Sequence, residues 1–382
     1  MTKIIAVLGA TGSVGAQALD VARARGYKID FITAGTNSRA AEAIAREFRP
    51  RAVAMADMRA ANELKFRLRD TGIPVLAGER GICEGVRMSQ SETVVNAILG
   101  KAGLAPTFAT IESGKRLALA NKESLVIAGE AVMSLARQKG CQIIPVDSEH
   151  SAIFQSLSAG KITEVKRLIL TASGGPFYGK SRADLERITL SDTLAHPTWK
   201  MGQKITVDSA TLMNKGYEII EAAHLFGIKP DRIEVVIHRE SILHSAVEYI
   251  DNSIIGEFSI PDMRMCVQYA IDYPDRCEGI VKPLDLFALG KMTFAKPDYD
   301  TFPLLSLAKR SFYEGGGCPA VMNAADEVAV DAFLKGKIRF ADIPRVVINT
   351  YEMLGGAKYA RSIEDIIASD TESRRVAEQY IR

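Results

Sequence analysis

"KIIAVLGATGSVG", residues 3–15, decides the fold. An apolar run of strand length passes directly into three glycines, Gly9, Gly12 and Gly15, and then into the helical spacing of "AQALDVARARG". Glycines between a first strand and a first helix permit a tight turn. They also let a pyrophosphate approach the helix N-terminus, where N–H groups and the helix dipole favour an anion. The spacing is G-x-x-G-x-x-G rather than the stricter dinucleotide fingerprint, so its weight comes from the strand-turn-helix context. The alternative is a merely structural turn. The apolar run is too short, and ends too directly in the glycine motif, for a signal peptide.

Outward from this stretch, "KIIAVL", "IDFITAG", "RAVAMA", "IPVLAG", "TVVNAIL", "RLALA" and "CQIIPV" read as strands, alternating with helical stretches such as "SRAAEAIAREF". That alternation predicts an α/β fold: a doubly wound, Rossmann-like parallel sheet over residues 1–149, expected to bind the cofactor. Over 150–272 helices mix with longer strands such as "KRLILTAS", "DRIEVVIH" and "IIGEFSI", which predicts a central α+β catalytic domain. Pro274, Pro283, Pro297 and Pro303 mark residues 273–303 as a linker. "LLSLAKRSFYEG", "PAVMNAADEVAVDAFLKG", "FADIPRVVINTYEML" and "SIEDIIASDTESRRVAEQYI" have helical spacing, hence a C-terminal helical bundle over 304–382.

A chain of 382 residues should bury roughly three quarters of the surface exposed by its unfolded form. Its five cysteines are odd in number and lack C-x-x-C spacing, which suggests neither a disulfide framework nor a zinc site and fits a reducing, cytoplasmic setting. A net charge of +2 without blocks of like charge argues against nucleic acid and a polybasic membrane anchor. No stretch approaches the roughly 18 apolar residues of a membrane span. The expected partner is a small molecule.

Cofactor preference is read at the end of the second strand, where NAD enzymes place an acid on the ribose. Gly35, Thr36, Asn37, Ser38 and Arg39 stand there instead. No carboxylate would repel a 2′-phosphate, and Arg39 with the short polar side chains could bind it, so NADPH is favoured over NADH. The other reading makes Ser38 a helix cap and Arg39 a surface charge.

"PVDSEH", residues 145–150, sets Asp147 and Glu149 two apart just beyond an apolar run, at the strand end where active sites collect. Alternation along extended chain would aim both the same way and turn Ser148 elsewhere. "DSATLMNKGYEIIEAAHLF", residues 208–226, reads as one helix with a buried stripe of Leu212, Gly216, Ile219, Ile220, Ala223 and Phe226. Asn214, Lys215 and Glu218 then share another face, as a site or as a solvated ion pair. "TASGGPF", residues 171–177, offers the Ser173 hydroxyl and backbone amides of the sort that bind phosphate. "AHPTWKMG", residues 195–202, holds His196 and the only tryptophan, Trp199, in a polar stretch that could close over substrate.

The blocks "GATGSVG", "LANKESLV", "PVDSEH", "SGGPF", "HPTWKMG", "VDSATLMNKGYE" and "PDMR", in this order, resemble the 1-deoxy-D-xylulose 5-phosphate reductoisomerase family along essentially the whole chain. The resemblance implies NADPH- and divalent-metal-dependent conversion of that sugar phosphate into 2-C-methyl-D-erythritol 4-phosphate in non-mevalonate isoprenoid biosynthesis. It also implies a homodimer, and a skeletal rearrangement by retro-aldol cleavage and re-addition before reduction. Carried over by motif, metal ligands fall on Asp147, Glu149 and Glu218. Substrate contacts fall on Lys122, Ser148, Ser173, His196, Ser209, Asn214 and Lys215, with Trp199 and Met201 in the lid. Cofactor contacts fall on Thr11, Gly12, Ser13, Val14, Gly35, Thr36, Asn37, Asn121, Glu123 and Gly202. Some members carry lysine at the position of Thr36, which makes Arg39 the candidate for the 2′-phosphate here.

An all-carboxylate ligand set suits Mg²⁺ or Mn²⁺, which would polarise the substrate carbonyl and hold its neighbouring hydroxyl. Glu149 and Glu218 would thereby touch substrate as well as metal, and Lys122 is a candidate electrostatic or proton-transfer partner. His150, beside the metal motif, and His244 are further candidates near the site; the other reading makes each a satisfied core residue. Two rivals share the glycine loop: another NADP-dependent dehydrogenase of a phosphorylated carbonyl compound, which should need a cysteine nucleophile or no metal, and a non-catalytic NADPH-sensing regulator, which has no use for the carboxylates.

Overall fold

The structure is a computed structural model and describes residues 2–195, 199 and 201–381. Two compact units divide the chain. One gathers the chain up to Ser124 with Glu130–Ser151 and Asp262–Lys282; the other holds Leu125–Gly129, Ala152–Pro261 and the chain from Pro283 onward.

In the first unit the seven predicted runs are strands: β1 (Ile4–Leu8), β2 (Lys28–Ala34), β3 (Ala52–Met55), β4 (Val75–Ala77), β5 (Thr93–Asn96), β6 (Arg116–Leu119) and β7 (Ile143–Pro145). Among the described residues they form one sheet, β4-β3-β2-β1-β5-β6-β7, with every pairing parallel. Helices cover both faces of such a sheet, which is why its inner strands read as continuous apolar runs rather than alternating ones. Ile5, Val7, Leu8, Ile32, Val53, Val94 and Leu117 are all buried accordingly. Strand order reverses at β1, with β2 on one side and β5 on the other. The crevice at such a reversal, beyond the strands' carboxyl ends, is where an α/β sheet takes its ligand. Asp262–Lys282 join this unit through the helix Met263–Asp272, which packs on the helix Ser13–Arg25. Its buried Asp272 accepts from the Tyr27 hydroxyl and pairs with Lys3 at 2.9 Å.

The second unit is built on β8 (Val165–Ala172), β9 (Ile233–Ile237), β10 (Leu243–Tyr249) and β11 (Ile254–Phe258), in the order β11-β10-β8-β9. β8 and β9 run parallel, and the other pairings are antiparallel. The four C-terminal stretches are the helices Leu304–Glu314, Cys318–Leu334, Asp342–Met353 and Ile363–Gln379. One apolar core joins them to the sheet: Leu168, Leu170 and Val235 belong to the same buried cluster as Ile219, Ile220, Leu305, Met322 and Val346.

Two local expectations are corrected. Residues 208–226 are not one helix: Gln203–Ala210 ends, Leu212 takes a left-handed conformation (φ 58°), and Met213–Phe226 begins again. Such a backbone costs a non-glycine residue on the order of 1 kcal/mol, and the nearly complete burial of the Leu212 side chain offsets it. Nor does the chain stay extended through "DSEH", because the helix Ser148–Ser156 starts inside the motif.

Candidate active site

The glycine loop is fixed by its neighbours. The Gly9 N–H donates to Thr33 Oγ1 of β2 at 2.9 Å, and the Ala10 N–H to the Thr33 carbonyl at 2.8 Å. Gly9 has φ +79°, and a Cβ there would lie 2.7 Å from the Ala97 carbonyl oxygen just beyond β5. A Cβ on Gly15 would lie 2.1 Å from the Gly9 oxygen. Both glycines are therefore needed to fold the loop tightly, and Gly12 becomes the N-cap of the helix Ser13–Arg25, whose N-terminus no side chain caps. The Gly12 N–H donates to the Gly9 carbonyl at 2.9 Å, and the first-turn amides that follow it, from Ser13 and Val14, stand at the uncapped helix N-terminus, where an anion is favoured.

Beyond β2, Gly35, Thr36, Asn37 and Arg39 are exposed at the same carboxyl edge. The helix cap is Asn37, whose Oδ1 accepts from the Ala40 N–H at 3.0 Å. Ser38 is buried and donates to Glu63 at 2.8 Å, so the reading of Ser38 as the cap is replaced. Beyond β6, Asn121 is buried, donating to the Gly100 carbonyl at 3.0 Å and to Glu123 at 2.9 Å while accepting from the Ser124 N–H at 3.1 Å. This web fixes Glu123 beyond the carboxyl end of β6.

Lys122 occupies the N-cap position of the next helix and is only 7% exposed, so it is not a solvated surface charge. Its ammonium forms an ion pair with Asp147, beyond β7. Asp147 starts the helix Ser148–Ser156, its carbonyl accepting from the Ser151 N–H at 2.8 Å. Glu149 sits in the first turn of that helix and accepts from the Ser148 hydroxyl at 2.6 Å. Helix geometry, not strand alternation, therefore sets the directions of Asp147 and Glu149. His150 is fully buried, with Nδ1 3.8 Å from the Asp147 carboxylate.

In the second unit, Asn214, Lys215 and Glu218 do share one face. Asn214 Nδ2 donates to Glu218 at 2.5 Å, and Lys215 pairs with its other oxygen. Lys215 (4% exposed) and Glu218 (1%) are buried, so this is no solvated ion pair. A buried, charged carboxylate is costly unless its oxygens are held by donors or a cation. The 173–175 loop follows β8, with Gly174 and Gly175 both at positive φ. A Cβ on Gly175 would stand 2.7 Å from the Ser209 carbonyl oxygen, so the loop lies directly against that residue. Ser209 is near the end of the Gln203–Ala210 helix rather than at a helix entrance. Gly202 is exposed at that helix's N-cap.

Trp199 is half-buried, its ring centroid 6.0 Å from that of His244 on β10. His196 lies outside the described residues.

Family models described as 1-deoxy-D-xylulose 5-phosphate reductoisomerase and its C-terminal domains match residues 5–129, 143–226 and 258–376. The chain belongs to the 1-deoxy-D-xylulose 5-phosphate reductoisomerase family. A reductoisomerase of that name from Caldanaerobacter subterraneus is 49% identical over 387 residues, covering 100% of both chains. Among solved structures, the Zymomonas mobilis reductoisomerase in complex with NADPH is 40% identical with a TM-score of 0.91 and covers 100% of both chains. A reductoisomerase in complex with NADPH, fosmidomycin and magnesium is 39% identical with a TM-score of 0.92, covering 99% of this chain and 98% of that one.

Sequence reasoning missed a buried group of side chains. Asp208 and Asp326 are buried, Lys204 Nζ reaches them at 2.6 and 3.2 Å, and the Tyr217 hydroxyl donates to Asp326 at 2.8 Å. Asp208 stands in a motif already singled out, yet nothing local in sequence pairs it with a residue over a hundred positions on.

Proposed function

We propose that this chain catalyses the NADPH- and divalent-metal-dependent conversion of 1-deoxy-D-xylulose 5-phosphate into 2-C-methyl-D-erythritol 4-phosphate in non-mevalonate isoprenoid biosynthesis, acting as reductase and isomerase. The observation that carries this reading is family membership along the full chain, with four of its seven motifs at the carboxyl ends of β1, β6, β7 and β8. The division of labour is cofactor binding by 1–149, catalysis by 150–272, a linker over 273–303 and a helical bundle over 304–382.

Thr11, Gly12, Ser13 and Val14 border the dinucleotide pyrophosphate at the helix N-terminus, with Gly35, Thr36, Asn37 and Arg39 toward the adenosine ribose, where Arg39 meets the 2′-phosphate. Asn121, Glu123 and Gly202 complete the cofactor contacts. Asp147, Glu149 and Glu218 hold Mg²⁺ or Mn²⁺. The donor set fits, since carboxylate oxygens without thiolate or imidazole suit a hard dication. When bound, such an ion polarises a ketone and steadies a neighbouring hydroxyl.

Ser173, Ser209, Asn214, Lys215 and His196 bind the phosphate end of the substrate, and Ser148 lies toward its reacting end. The Lys122 ammonium, held beside Asp147, stabilises charge developing on substrate oxygen or passes a proton there. Trp199 covers the site and excludes water. We place the enzyme in the cytoplasm as a homodimer; among the described residues no helix is long and apolar enough to cross a membrane.

The deciding experiment follows NADPH absorbance with the sugar phosphate and Mg²⁺. Oxidation that requires both is expected. No oxidation with either Mg²⁺ or Mn²⁺ at saturating substrate would refute the assignment.

A further inference from the structure

We propose that Arg239 is a positioning residue of the phosphate-binding loop, setting residues 173–175 by holding their carbonyls. The inference rests on the reading of Ser173 as a phosphate contact and assigns a role to a side chain that reading does not use.

β8 and β9 are parallel neighbours with Ala172 opposite Ile237, so the chain leaves both strands at the same sheet end. The His238 N–H donates to the Ala172 carbonyl at 2.7 Å, continuing the ladder by one step. Arg239 therefore emerges beside Ser173. Its Nη1 donates to the Ser173 carbonyl at 3.2 Å and to the Gly175 carbonyl at 2.8 Å. The guanidinium also lies 5.2 Å from the centre of the Tyr178 ring, a cation–π distance.

The turn that presents Arg239 is itself fixed. His238 is fully buried: Nδ1 faces the Thr293 carbonyl at 3.0 Å, and Nε2 accepts from the Ile242 and Leu243 N–H groups at 3.1 and 3.2 Å. Those partners demand the neutral tautomer with its proton on Nδ1. Glu240 accepts from the Thr293 hydroxyl at 2.8 Å. The arginine is thus delivered from a braced platform to a loop with little stiffness of its own, because two successive left-handed glycines lose much conformational entropy on being fixed.

The consequence is directional. In a trans peptide the carbonyl and the following N–H point opposite ways, so drawing the Ser173 carbonyl toward Arg239 turns the Gly174 N–H away from it. Within the loop the Gly175 N–H donates to Ser173 Oγ at 3.2 Å, which orients the hydroxyl to donate outward. The guanidinium charge on the carbonyl side polarises the same peptide and adds attraction for a dianion. Arg239 acts through Ser173 and Gly174 and needs no contact with phosphate.

The test compares Arg239→Ala, Arg239→Lys and Ser173→Ala, using the phosphorylated substrate, its dephosphorylated analogue, and inorganic phosphate as competing probe. Arg239→Ala should lower kcat/KM for the phosphorylated substrate roughly tenfold and raise the inhibition constant of inorganic phosphate by a similar factor. Turnover of the dephosphorylated analogue should stay near the parent value. Arg239→Lys, with charge but no fork, should fall between, and added ethylguanidinium should partly restore Arg239→Ala. If Ser173→Ala discriminates between the substrates while Arg239→Ala weakens both equally, or neither, the positioning role is wrong and the phosphate reading stands. If Ser173→Ala does not discriminate either, the phosphate reading fails and this inference falls with it.

Discussion

A carboxylate that is to ligate a dication must be aimed before the ion arrives, and the proposed ligands are aimed by their own neighbours. Asp147 faces the Lys122 ammonium, Glu149 takes the Ser148 hydroxyl, and Glu218 takes Asn214 and Lys215. A bound cation would take the place of each counter-charge or donor, so substituting a ligand should strike affinity for metal. Asp147→Asn, Glu149→Gln and Glu218→Gln should each lower turnover by roughly a hundredfold or more, since substitutions one shell further out already cost 10–100-fold. Calorimetry with Mn²⁺ should record weaker binding and NADPH titrations an unchanged constant; Mn²⁺ binding at parental strength in all three would unseat the assignment. Arg39 invites a narrower test. It is exposed and follows the Asn37 cap, free of any role in that cap. Arg39→Ala should weaken NADPH by roughly 1.5–3 kcal/mol, the worth of a charge-assisted bond, and NADH hardly at all. Equal losses would return Arg39 to the surface.

Elements were legible wherever periodicity met burial on both faces, and less so where tertiary context overrode it. The runs "KIIAVL" to "CQIIPV" became the seven parallel strands because such strands are apolar throughout. β10, "LHSAVEY", is buried along its whole length yet interleaves His244, Ser245 and Glu248, whose polarity conceals a central strand. The helix start at "DSEH" carried a usable signal, an aspartate followed by a first-turn glutamate, which strand reasoning passed over. The break at Leu212 had none, since no glycine or proline marks it. The helix before that break carries the buried Asp208, and here stability should depend on pH. Burial, then repulsion from Asp326, raises the Asp208 pKa well above the ordinary aspartate value. Above about pH 4 the unfolded carboxyl ionises freely while the folded one resists, so the folded state is penalised as pH rises and relieved as pH falls. Asp208→Asn mimics the protonated form and leaves Lys204 to Asp326. It should raise unfolding free energy at pH 7–8 by roughly 1–3 kcal/mol, with the gain vanishing toward pH 4 in urea titrations. A variant less stable at every pH would mean that the Lys204–Asp208 ion pair outweighs the burial.

At the scale of the whole molecule, the second unit's sheet ends at β11, an edge that no strand among the described residues pairs. Natural edge strands are usually shortened, charged or covered, because unpaired backbone groups invite another strand. β11 is short and carries Glu257, yet its most exposed positions are apolar: Ile254 is 55% exposed, Ile255 40% and Phe258 46%, with Ile250 at 66% in the preceding turn. Neighbouring residues on a strand point to opposite faces, so exposure of both Ile254 and Ile255 means that, among the described residues, neither face is covered at the start of β11. A partner strand lying alongside would cover both at once, and a second copy related by a two-fold axis supplies the same edge in return. Scattered surface leucines need no explanation, but a contiguous apolar edge does. Fully burying an isoleucine or phenylalanine is worth about 1.5–3 kcal/mol, so two charges introduced there should dissociate a dimer at micromolar concentration. Light scattering should give the parent twice the 41.5 kDa chain mass, and Ile255→Lys combined with Phe258→Lys the single mass with an unchanged circular dichroism spectrum. A parent already monomeric, or a dimer that survives both lysines, would remove β11 from the interface.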